Sequence, residues 1–591
     1  MNKFRTILFF SLVFASLSMQ GRPKSDVADG DAGTPIGILA EPGSPVINYT
    51  PLSSPNCTYI GMTLSGVQIT DETGIPLSGG TVPRIYYRKN AGAWFSRPGT
   101  NTAGTALNST WSFTIVESDL GGVSGGDAVN YYIIAQDILA TPNVGASPSA
   151  GFNATSVVNV VTHPTNPNSY SLRYILNGVY PVGIGGTFST LTIALAAYNN
   201  ACTLAGPVVF ELIDNTYPSE SFPLTILNHA DAGNLRRLTI RPSASATPII
   251  TGATLNPIIN LNGAKYITID GRQAGSGTPK SLTLSNTGTG ITIQFINDAQ
   301  NDSLKNCIVK GRRASSFSGM IVFGTANASG TGNDNNTVDN NDITDATSQS
   351  TNAIYSSGTA SKENNNVSII NNNISNYFNA TTRSVGLNVF ANSTAWTISG
   401  NRFFQTATRV YTFASDHYGM WINSGSGYTI SNNIIGFENM SGTGTTKIIG
   451  NPVNLPGFPA SYTADIGISI RYIGIVCIFT TGGASSAIDG NTIGGIAMYT
   501  SSPGFPTYGI LCGIYIENGN ATIGTNIGNT IGSIAGSGSI YAACTEDSSK
   551  IVGIRAGSTG SIRNNRIGGI DASEPRIGFS RHNGNQHRRF W

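Results

Sequence analysis

Apolar and polar positions recur at a fixed offset from about residue 335 onward. One half of the repeat is an asparagine followed two positions later by Ile or Phe, and the other half is a small residue followed by an apolar run. Copies of the first half lie 29 to 38 residues apart, except for one interval of 59 residues, which fits two turns or one turn with an insertion. The first half occurs at Asn341, Asn372, Asn401, Asn432, Asn491, Asn529 and Asn565, and the second at Ala353, Gly386, Gly419, Gly474, Gly513 and Gly553.

This pattern predicts a stack of β-coils over residues 175–577. Each coil holds two or three short strands, and each strand pairs with its equivalent one coil away, at about 4.8 Å. The inward Ile, Val and Leu side chains form a continuous core. Asn and Gly suit the tight corners because both enter the left-handed region, and equivalent asparagines can bond amide to amide in a ladder. The fixed apolar offset argues against a low-complexity linker.

A short helix is predicted where the stack begins. Phe188, Leu191, Leu195, Tyr198 and Cys202 follow helical spacing. Only strand-like runs follow them, so we interpret the helix as a cap on the N-terminal end of the stack.

Residues 42–162 carry short apolar runs that alternate with polar positions and end at turn residues. This pattern predicts an antiparallel β-sandwich. Residues 163–174 are predicted to be a linker because residues 162–168 (Thr-His-Pro-Thr-Asn-Pro-Asn) carry turn signals. His163 is expected to be a solvated loop residue. The clearest strand-like runs are 67–70, 84–87, 111–115 and 131–135.

Residues 1–20 have the features of an export signal. A basic start is followed by an apolar run and a small-x-small pattern at residues 16–18. The run is too short to cross a bilayer, which needs about 20 apolar residues, and no later stretch predicts a membrane span. Residues 578–591 form a basic tail unlike anything upstream, and we interpret it as an end cap or as the result of truncation.

The composition of the chain limits the classes of partner that it is expected to bind. Charged residues are 11% of the 591, against about 25% in typical proteins. The net charge is only +2, so nucleic-acid binding is not expected. Glycine is abundant, at 71 residues, which favours a β protein with many turns over long helices.

The six cysteines are too few for a disulfide scaffold, and no C-x-x-C spacing suggests a zinc site. Cys57 is predicted to be a free, buried thiol. Cys477, Cys512 and Cys544 recur at intervals of 35 and 32 residues. They could stack in neighbouring coils, either as small apolar core residues or with one disulfide among them.

The chain resembles secreted right-handed parallel β-helix proteins of the pectin-lyase-like class, and is similar to cargo proteins of the type IX secretion system. Residues 188–198, residues 262–271 and the Asn-x-Ile coils carry this resemblance, while residues 126–137 resemble immunoglobulin-like or fibronectin-like modules. The resemblance implies a right-handed coil and a location outside a bacterial cell. The chain departs from the pattern in having no recognisable C-terminal sorting domain.

That class includes polysaccharide lyases and hydrolases, but their motifs are missing here. The chain has no adjacent Asp pair, and residues 416–419 (Asp-His-Tyr-Gly) are only a fragment of a catalytic motif. We therefore assign no catalytic residue and expect His417 on the coil surface. No cofactor is predicted, with one candidate exception: a calcium ion bound by Asp339, Asp342 and Asp345.

A duplicated loop is the sharpest binding signal in the sequence. Residues 455–459 (Leu-Pro-Gly-Phe-Pro) precede Tyr462, and residues 502–506 (Ser-Pro-Gly-Phe-Pro) precede Tyr508. Insertions between coils protrude on one side of a solenoid. Phe458, Tyr462, Phe505 and Tyr508 are therefore candidates for a sugar-stacking platform, and the alternative is that both phenylalanines cover the core.

These observations predict a secreted or surface-bound, non-catalytic adhesion or carbohydrate-binding protein. Its expected partner is an extracellular glycan or a surface protein. The alternative is a polysaccharide lyase or glycoside hydrolase of the pectin-lyase-like class. We expect a monomeric rod of roughly a dozen coils.

Overall fold

The computed structural model describes residues 43–57, 59–347, 350–450, 468–501, 509–533, 539–544, 550–557 and 560–573. These residues form an all-β protein, as predicted. Antiparallel sheets at the N-terminal end precede a long stack of parallel sheets. Among the described residues there is one α-helix, Leu191–Asn199, and two short 3-10 helices, Glu117–Leu120 and Gln273–Gly275. No helix in these ranges is long and apolar enough to cross a membrane.

The N-terminal sheets are antiparallel, and Tyr87, Trp111 and Tyr131 are buried between them. That they form an immunoglobulin-like module stays a prediction. One sheet has the order Val46–Asn48, Met62–Thr70, Asn108–Ile115, Thr100–Gly104. The other has the order Asn168–Ser171, Ala128–Gln136, Arg84–Lys89, Phe95–Pro98, with Val144–Ser147 also on Ala128–Gln136, and a hairpin joins Asn153–Ser156 to Asn159–Thr162.

Two expectations for residues 163–174 were wrong. Asn168–Ser171 is a strand that pairs with Ala128–Gln136, and it buries Tyr170 among otherwise polar residues. His163 is not free in solvent, because its ring stacks on Trp94 at 4.7 Å and its Nδ1 lies 2.7 Å from the hydroxyl of Tyr132. One apolar side chain in a short edge strand is too weak a pattern to distinguish it from a loop.

Three parallel sheets, which we name A, B and C, build the stack, and from Leu238–Pro242 onward the chain runs from A to B to C in each coil. Sheet A contains Ile175–Val182, Thr203–Leu212, Leu238–Pro242, Ile267–Asp270, Ser303–Lys305, Thr337–Asp339, Ser368–Ile370, Thr397–Ser399, Thr429–Ser431, Ser486–Asp489, Ala521–Ile523 and Gly560–Ile562. Sheet B contains Ile249–Gly252, Leu282–Asn286, Cys307–Gly311, Asp342–Asp345, Asn373–Ser375, Arg402–Phe404, Ile434–Gly436, Thr492–Gly494, Thr530–Gly532 and Arg566–Gly568. Sheet C contains Leu224–Leu227, Ile259–Asn262, Ile293–Ile296, Ile321–Phe323, Asn352–Ser357, Ser384–Ala391, Ser415–Ile422, Ile470–Ile478, Leu511–Asn518 and Ile551–Ala556.

Later coils gain a fourth strand between sheets B and C. The strand Thr429–Ser431 pairs directly with Ser486–Asp489, so the interval of 59 residues is one coil with an insertion. This architecture is a parallel β-helix, and its right-handed sense stays a prediction. The fourth sheet, D, contains Arg409–Val410, Thr446–Ile449, Ile496–Thr500, Ile540–Cys544 and Ile570–Ser573, and a further pair joins Asn364–Asn365 to Ser393–Thr394.

The two halves of the repeat fit together in the core of the stack. A Cβ atom added at Gly474 would lie 2.8 Å from the side chain of Ile493 and 2.6 Å from the carbonyl oxygen of Gly513. Gly419 and Gly513 face Ile435 and Ile531 in the same way. The glycines of sheet C therefore leave room for the isoleucines of sheet B, which explains why the sequence repeats both.

The predicted asparagine ladder is present at the corner from sheet A to sheet B. In Asn401, Nδ2 donates to Oδ1 of Asn433 at 3.0 Å and to the carbonyl of Ile369 at 2.8 Å. The ladder continues in both directions to Asn341 and Asn565. One assignment was off by one residue: Asn433, not Asn432, belongs to the ladder, because adjacent asparagines left the register ambiguous.

The helix Leu191–Asn199 begins after Thr190, whose side chain accepts a hydrogen bond from the amide of Ile193. Leu191, Leu195 and Tyr198 are buried in the core of the stack. The helix lies where it was predicted, and its role as a cap stays a prediction.

A disulfide joins the N-terminal sheets to the stack. Cys57 is bonded to Cys202, so the prediction of a free thiol was wrong. The partner lies 145 residues away, just beyond the helix, which no local pattern reveals. Arg173 reinforces this junction by donating to the carbonyls of Asn200 and Ala201.

The late cysteines are buried thiols that form no disulfide among the described residues. They do not stack on one another: Cys477 lies beside Ile516, Cys512 beside Ile473, and Cys544 beside Thr500 in sheet D. Insertions change coil length, so equal spacing in the sequence does not give equal register.

Candidate functional site

The outward face of sheet A carries a column of hydroxyl side chains. Strands of sheet A alternate, with one residue entering the core and the next facing outward. On the first two strands the outward residues in this register are Val179 and Val209. On the ten strands that follow, nine of the ten are Thr or Ser, and we call these ten positions the hydroxyl column. They are Thr239, Thr268, Ser303, Thr337, Ser368, Thr397, Thr429, Ala487, Thr522 and Ser561.

An open cleft of about 610 Å³ lies at the N-terminal end of this column. We call it the sheet A cleft. Four hydroxyl residues of the column line it, as do two carboxyl groups and four cationic side chains. The cations are Arg237, Arg241, Arg272 and Lys305, the carboxyl groups are Asp270 and Asp302, and the hydroxyl residues are Thr239, Thr268, Ser303 and Thr337.

Asp270 is an ionised carboxylate held by several donors. Nη2 of Arg272 lies 2.7 Å from its Oδ2, and Nδ2 of Asn306 donates to its Oδ1 at 2.9 Å. Nζ of Lys305 lies 3.6 Å from Oδ2. Burial acts to raise the pKa of Asp270, but these donors outweigh it and hold the pKa below its usual value.

Asp302 has the opposite character. Its residue is 1% exposed; Oδ1 accepts a hydrogen bond from the amide of Ile267 at 2.8 Å, whereas Oδ2 is buried without a partner. Burial raises the pKa of Asp302 well above its usual value, although the charges of Arg237 and Lys265 oppose the shift. In its protonated form, this carboxyl group could donate a hydrogen bond.

Arg237 is the cation of the cleft that lacks a carboxylate partner. Its Nη1 donates to the Thr268 hydroxyl at 3.3 Å and to the Asn301 carbonyl at 3.0 Å, and its guanidinium lies over the ring of Tyr266. No carboxylate among the described residues lies within 4.0 Å of it. Arg241, by contrast, is 3.2 Å from Glu211. The lining thus carries an excess of positive charge.

Sequence reasoning missed this cleft, although a signal was present. Asp270, Lys305 and Asp339 are neighbours in register on successive strands, although 35 and 34 residues separate them in the sequence. Charged residues therefore recur about once per coil before residue 341, where the asparagine repeat begins. That recurrence is the signal that would have indicated the charged lining of the cleft.

The predicted calcium ligands do not form a shared site. Asp339 ends a sheet A strand and accepts from Nδ2 of Asn371, while Asp342 lies in sheet B and forms an ion pair with Lys280 at 2.5 Å. Asp345 accepts from the hydroxyl of Thr344. Within the described ranges, no group of three or more His, Cys, Asp or Glu side chains could hold a metal ion.

Phe458, Tyr462, Phe505 and Tyr508 lie outside the described residues. The sugar-stacking platform therefore stays a prediction.

His417 is not on the coil surface as expected. It is fully buried, and its ring stacks between Tyr377 and Tyr472 with centroids 5.4 Å apart on each side. Its Nδ1 lies 3.1 Å from the Tyr411 hydroxyl. Burial, with a smaller contribution from the charge of Arg409, lowers the pKa of His417 to about 3. The strand Ser415–Ile422 directs the His417 side chain into the core, and the sequence fragment Asp-His-Tyr-Gly does not predict this direction.

No protein-family model matches the chain, and no curated protein matches it. Similar solved structures include the tailspike protein gp49 from Pseudomonas phage LKA1 (11% identity, covering 87% of this chain and 67% of that one, TM-score 0.20). They also include the catalytic domain of a GH87 α-1,3-glucanase in complex with nigerose (12%, 90% and 96%, 0.24). A third is the Yersinia enterocolitica family 28 exopolygalacturonase (9%, 90% and 98%, 0.19). Similarity at this level carries no argument about what this chain binds.

Proposed function

We propose that this chain is a non-catalytic carbohydrate-binding or adhesion protein, secreted or held on the outer surface of a bacterium. Its partner is an acidic polysaccharide bound in the sheet A cleft. The observation that carries the proposal is the cleft lining, in which four cationic side chains stand beside a row of hydroxyl groups. Guanidinium groups bind carboxylate or sulfate through paired hydrogen bonds. Hydroxyl groups match the mixed donors and acceptors of a sugar.

Arg237 is the group best placed to hold the anionic substituent. The other cations of the cleft are partly neutralised by Asp270 and Glu211. Arg237 instead donates to hydroxyl and carbonyl oxygens and lies over the ring of Tyr266. A carboxylate ligand could therefore pair with Arg237 without breaking an existing ion pair.

The Cys57–Cys202 disulfide supports a location outside the cytoplasm. Disulfides persist in oxidising compartments and are rare where thiols are kept reduced. The export signal predicted at residues 1–20 and the monomeric state belong to the same proposal.

Calorimetric titration with oligogalacturonate and with neutral dextran oligosaccharides tests the proposal. The acidic ligand should bind and the neutral one should bind much more weakly, and added salt should reduce the affinity. Arg237→Gln should weaken binding about tenfold or more, since hydrogen bonds to charged groups contribute about 1.5–3 kcal/mol.

Arg236→Gln is the matched control, because Arg236 is the adjacent, exposed arginine outside the cleft lining. Equal losses in the two variants, or no preference for acidic glycans of any type, would contradict the proposal. Phe458→Ala with Phe505→Ala tests the predicted platform separately: a loss of affinity supports it, and a lower melting temperature alone does not.

One observation favours the alternative of a lyase or glycoside hydrolase. Asp302, whose pKa is raised, and Asp270, whose pKa is lowered, line the same cleft. A carboxylic acid beside a carboxylate is the pair that glycoside hydrolysis uses. Release of reducing or unsaturated ends from polygalacturonate, abolished by Asp302→Asn, would establish that alternative.

A further inference from the structure

Arg237 has one hydrogen-bonding edge that no described residue occupies. Its Nη1 atom is held by the fold, because it donates to the carbonyl oxygens of Ile267 and Asn301 and to the Thr268 hydroxyl. Nε and Nη2 donate to no residue that the structure describes, and neither atom is fully buried. These two atoms form one planar edge of the guanidinium group, and such an edge can bind both oxygens of a carboxylate.

The other two arginines of the sheet A cleft do not offer this edge. Nε and Nη2 of Arg272 both donate to the carboxylate of Asp270. Nε of Arg241 is buried without a partner, and its Nη2 donates to Glu211 at 3.2 Å. A carboxylate ligand can therefore form paired hydrogen bonds with Arg237 without displacing a protein carboxylate.

The ring of Tyr266 packs against the guanidinium group of Arg237. The central guanidinium carbon lies 5.6 Å from the centre of the ring, which is within the range of a cation–π contact. Tyr266 does not line the cleft itself, and its hydroxyl group has no hydrogen-bond partner in the described part of the chain. The face of the ring is therefore the part of this side chain that acts on Arg237.

The backbone conformation of Tyr266 is unusual for a tyrosine. Its φ is 61°, in the left-handed region, which bulky residues rarely adopt and which Asn and Gly enter readily. The same corner of the next three coils is occupied by Asn301, Asn335 and Asn366, with φ of 58°, 58° and 54°. At all four positions the backbone amide donates to the carbonyl of the residue just before the equivalent corner of the following coil. The fold thus suits asparagine at this corner, and the tyrosine needs a different reason.

We propose that Tyr266 is a positioning residue of the sheet A cleft, which holds the Nε–Nη2 edge of Arg237 towards a carboxylate of the ligand. The inference rests on the proposed function and adds the geometry of recognition, in which one arginine binds a planar carboxylate through two parallel hydrogen bonds. The ring and the bonds of Nη1 fix the guanidinium group before the ligand binds, so less conformational entropy is lost on binding. Backbone strain of this kind is typical of functional positions.

Calorimetric titration of trigalacturonate into variants at position 266 tests the proposal. Tyr266→Asn introduces the residue that the next three coils carry at this corner, so the melting temperature should stay the same or rise. The affinity should nevertheless fall about two- to fivefold, which is the loss expected for a cation–π contact at a partly exposed site. Tyr266→Phe keeps the ring and should retain both the affinity and the melting temperature.

Two further variants separate this role from general effects. Ala395→Asn makes a comparable change at the same corner four coils away, where φ is 58°, and should leave the affinity unchanged because Ala395 lies outside the cleft lining. Arg237→Lys keeps the positive charge but has no planar pair of donors, so it should weaken binding nearly as much as Arg237→Gln.

Wild-type affinity in the Tyr266→Asn variant would overturn the positioning role. A lower melting temperature in that variant would overturn it too, because the ring would then serve the fold. Full binding by Arg237→Lys would overturn the paired edge. In each of these cases the proposed function survives if Arg237→Gln weakens binding. If the wild-type protein does not bind trigalacturonate, or if Arg237→Gln binds it equally well, the proposed function and this inference both fail.

Discussion

Replacing Asn401 by alanine is expected to destabilise the stack by about 2–6 kcal/mol. The side chain of Asn401 is fully buried. Its Oδ1 accepts from the amide and the side chain of Asn372, and its Nδ2 donates to Ile369 and Asn433. Alanine would leave at least two buried groups without this partner, and each such group costs about 1–3 kcal/mol.

Asn565→Ala is the matched control. Asn565 makes the same kind of bonds to Asn529 and Ile523, but it lies at the end of the ladder and is partly exposed. Water can replace its bonds, so we expect a loss below about 1.5 kcal/mol. Guanidinium denaturation followed by circular dichroism measures both variants. Equal losses at the two positions would refute the argument that burial makes the ladder stabilising.

Three further outcomes follow from the core and the domain junction. Cys57→Ser should destabilise the junction by up to about 5 kcal/mol, which is the loop-closure value for the 145-residue separation. Calorimetry should show the N-terminal sheets melting at a lower temperature, and an unchanged thermogram would contradict this. The pKa of His417 is lowered from 6.5 to about 3 in the folded protein, so between these pH values the unfolded chain binds one proton more than the folded chain. The free energy of unfolding should therefore fall as the pH drops from about 6.5 towards 3, by up to about 4–5 kcal/mol. His417→Phe should remove that part of the pH dependence of the melting temperature. Gly474→Ala should cost about 1–3 kcal/mol through overpacking, whereas Gly80→Ala, which has open space around it, should leave the denaturation midpoint unchanged.

The repeat predicted the stack because each of its two halves has one structural role. Asparagines such as Asn372 and Asn491 hold the corner, and the following isoleucines fill the space that the glycines leave. These roles recur once in every coil, so spacing along the chain reports them. The single error in register, at Asn432 and Asn433, occurred where two adjacent residues satisfied the pattern equally well.

The features that were missed depend on contacts between distant residues. Cys57 and Cys202 are brought together by the docking of two parts of the chain, and His417 is buried because its strand directs it inward. The sheet A cleft collects Arg237, Asp270 and Lys305 from successive coils whose lengths differ. Insertions of a few residues change the spacing between these side chains in the sequence, so their alignment is visible only in the register of the sheet.

A crystal structure of the protein with a bound acidic oligosaccharide tests the central claim most directly. We expect the sugar in the sheet A cleft, with its carboxylate within hydrogen-bond distance of Arg237 and its hydroxyl groups against Thr268 and Ser303. An oligosaccharide bound elsewhere, for example beside Phe458 and Phe505 with the cleft empty, would contradict the account.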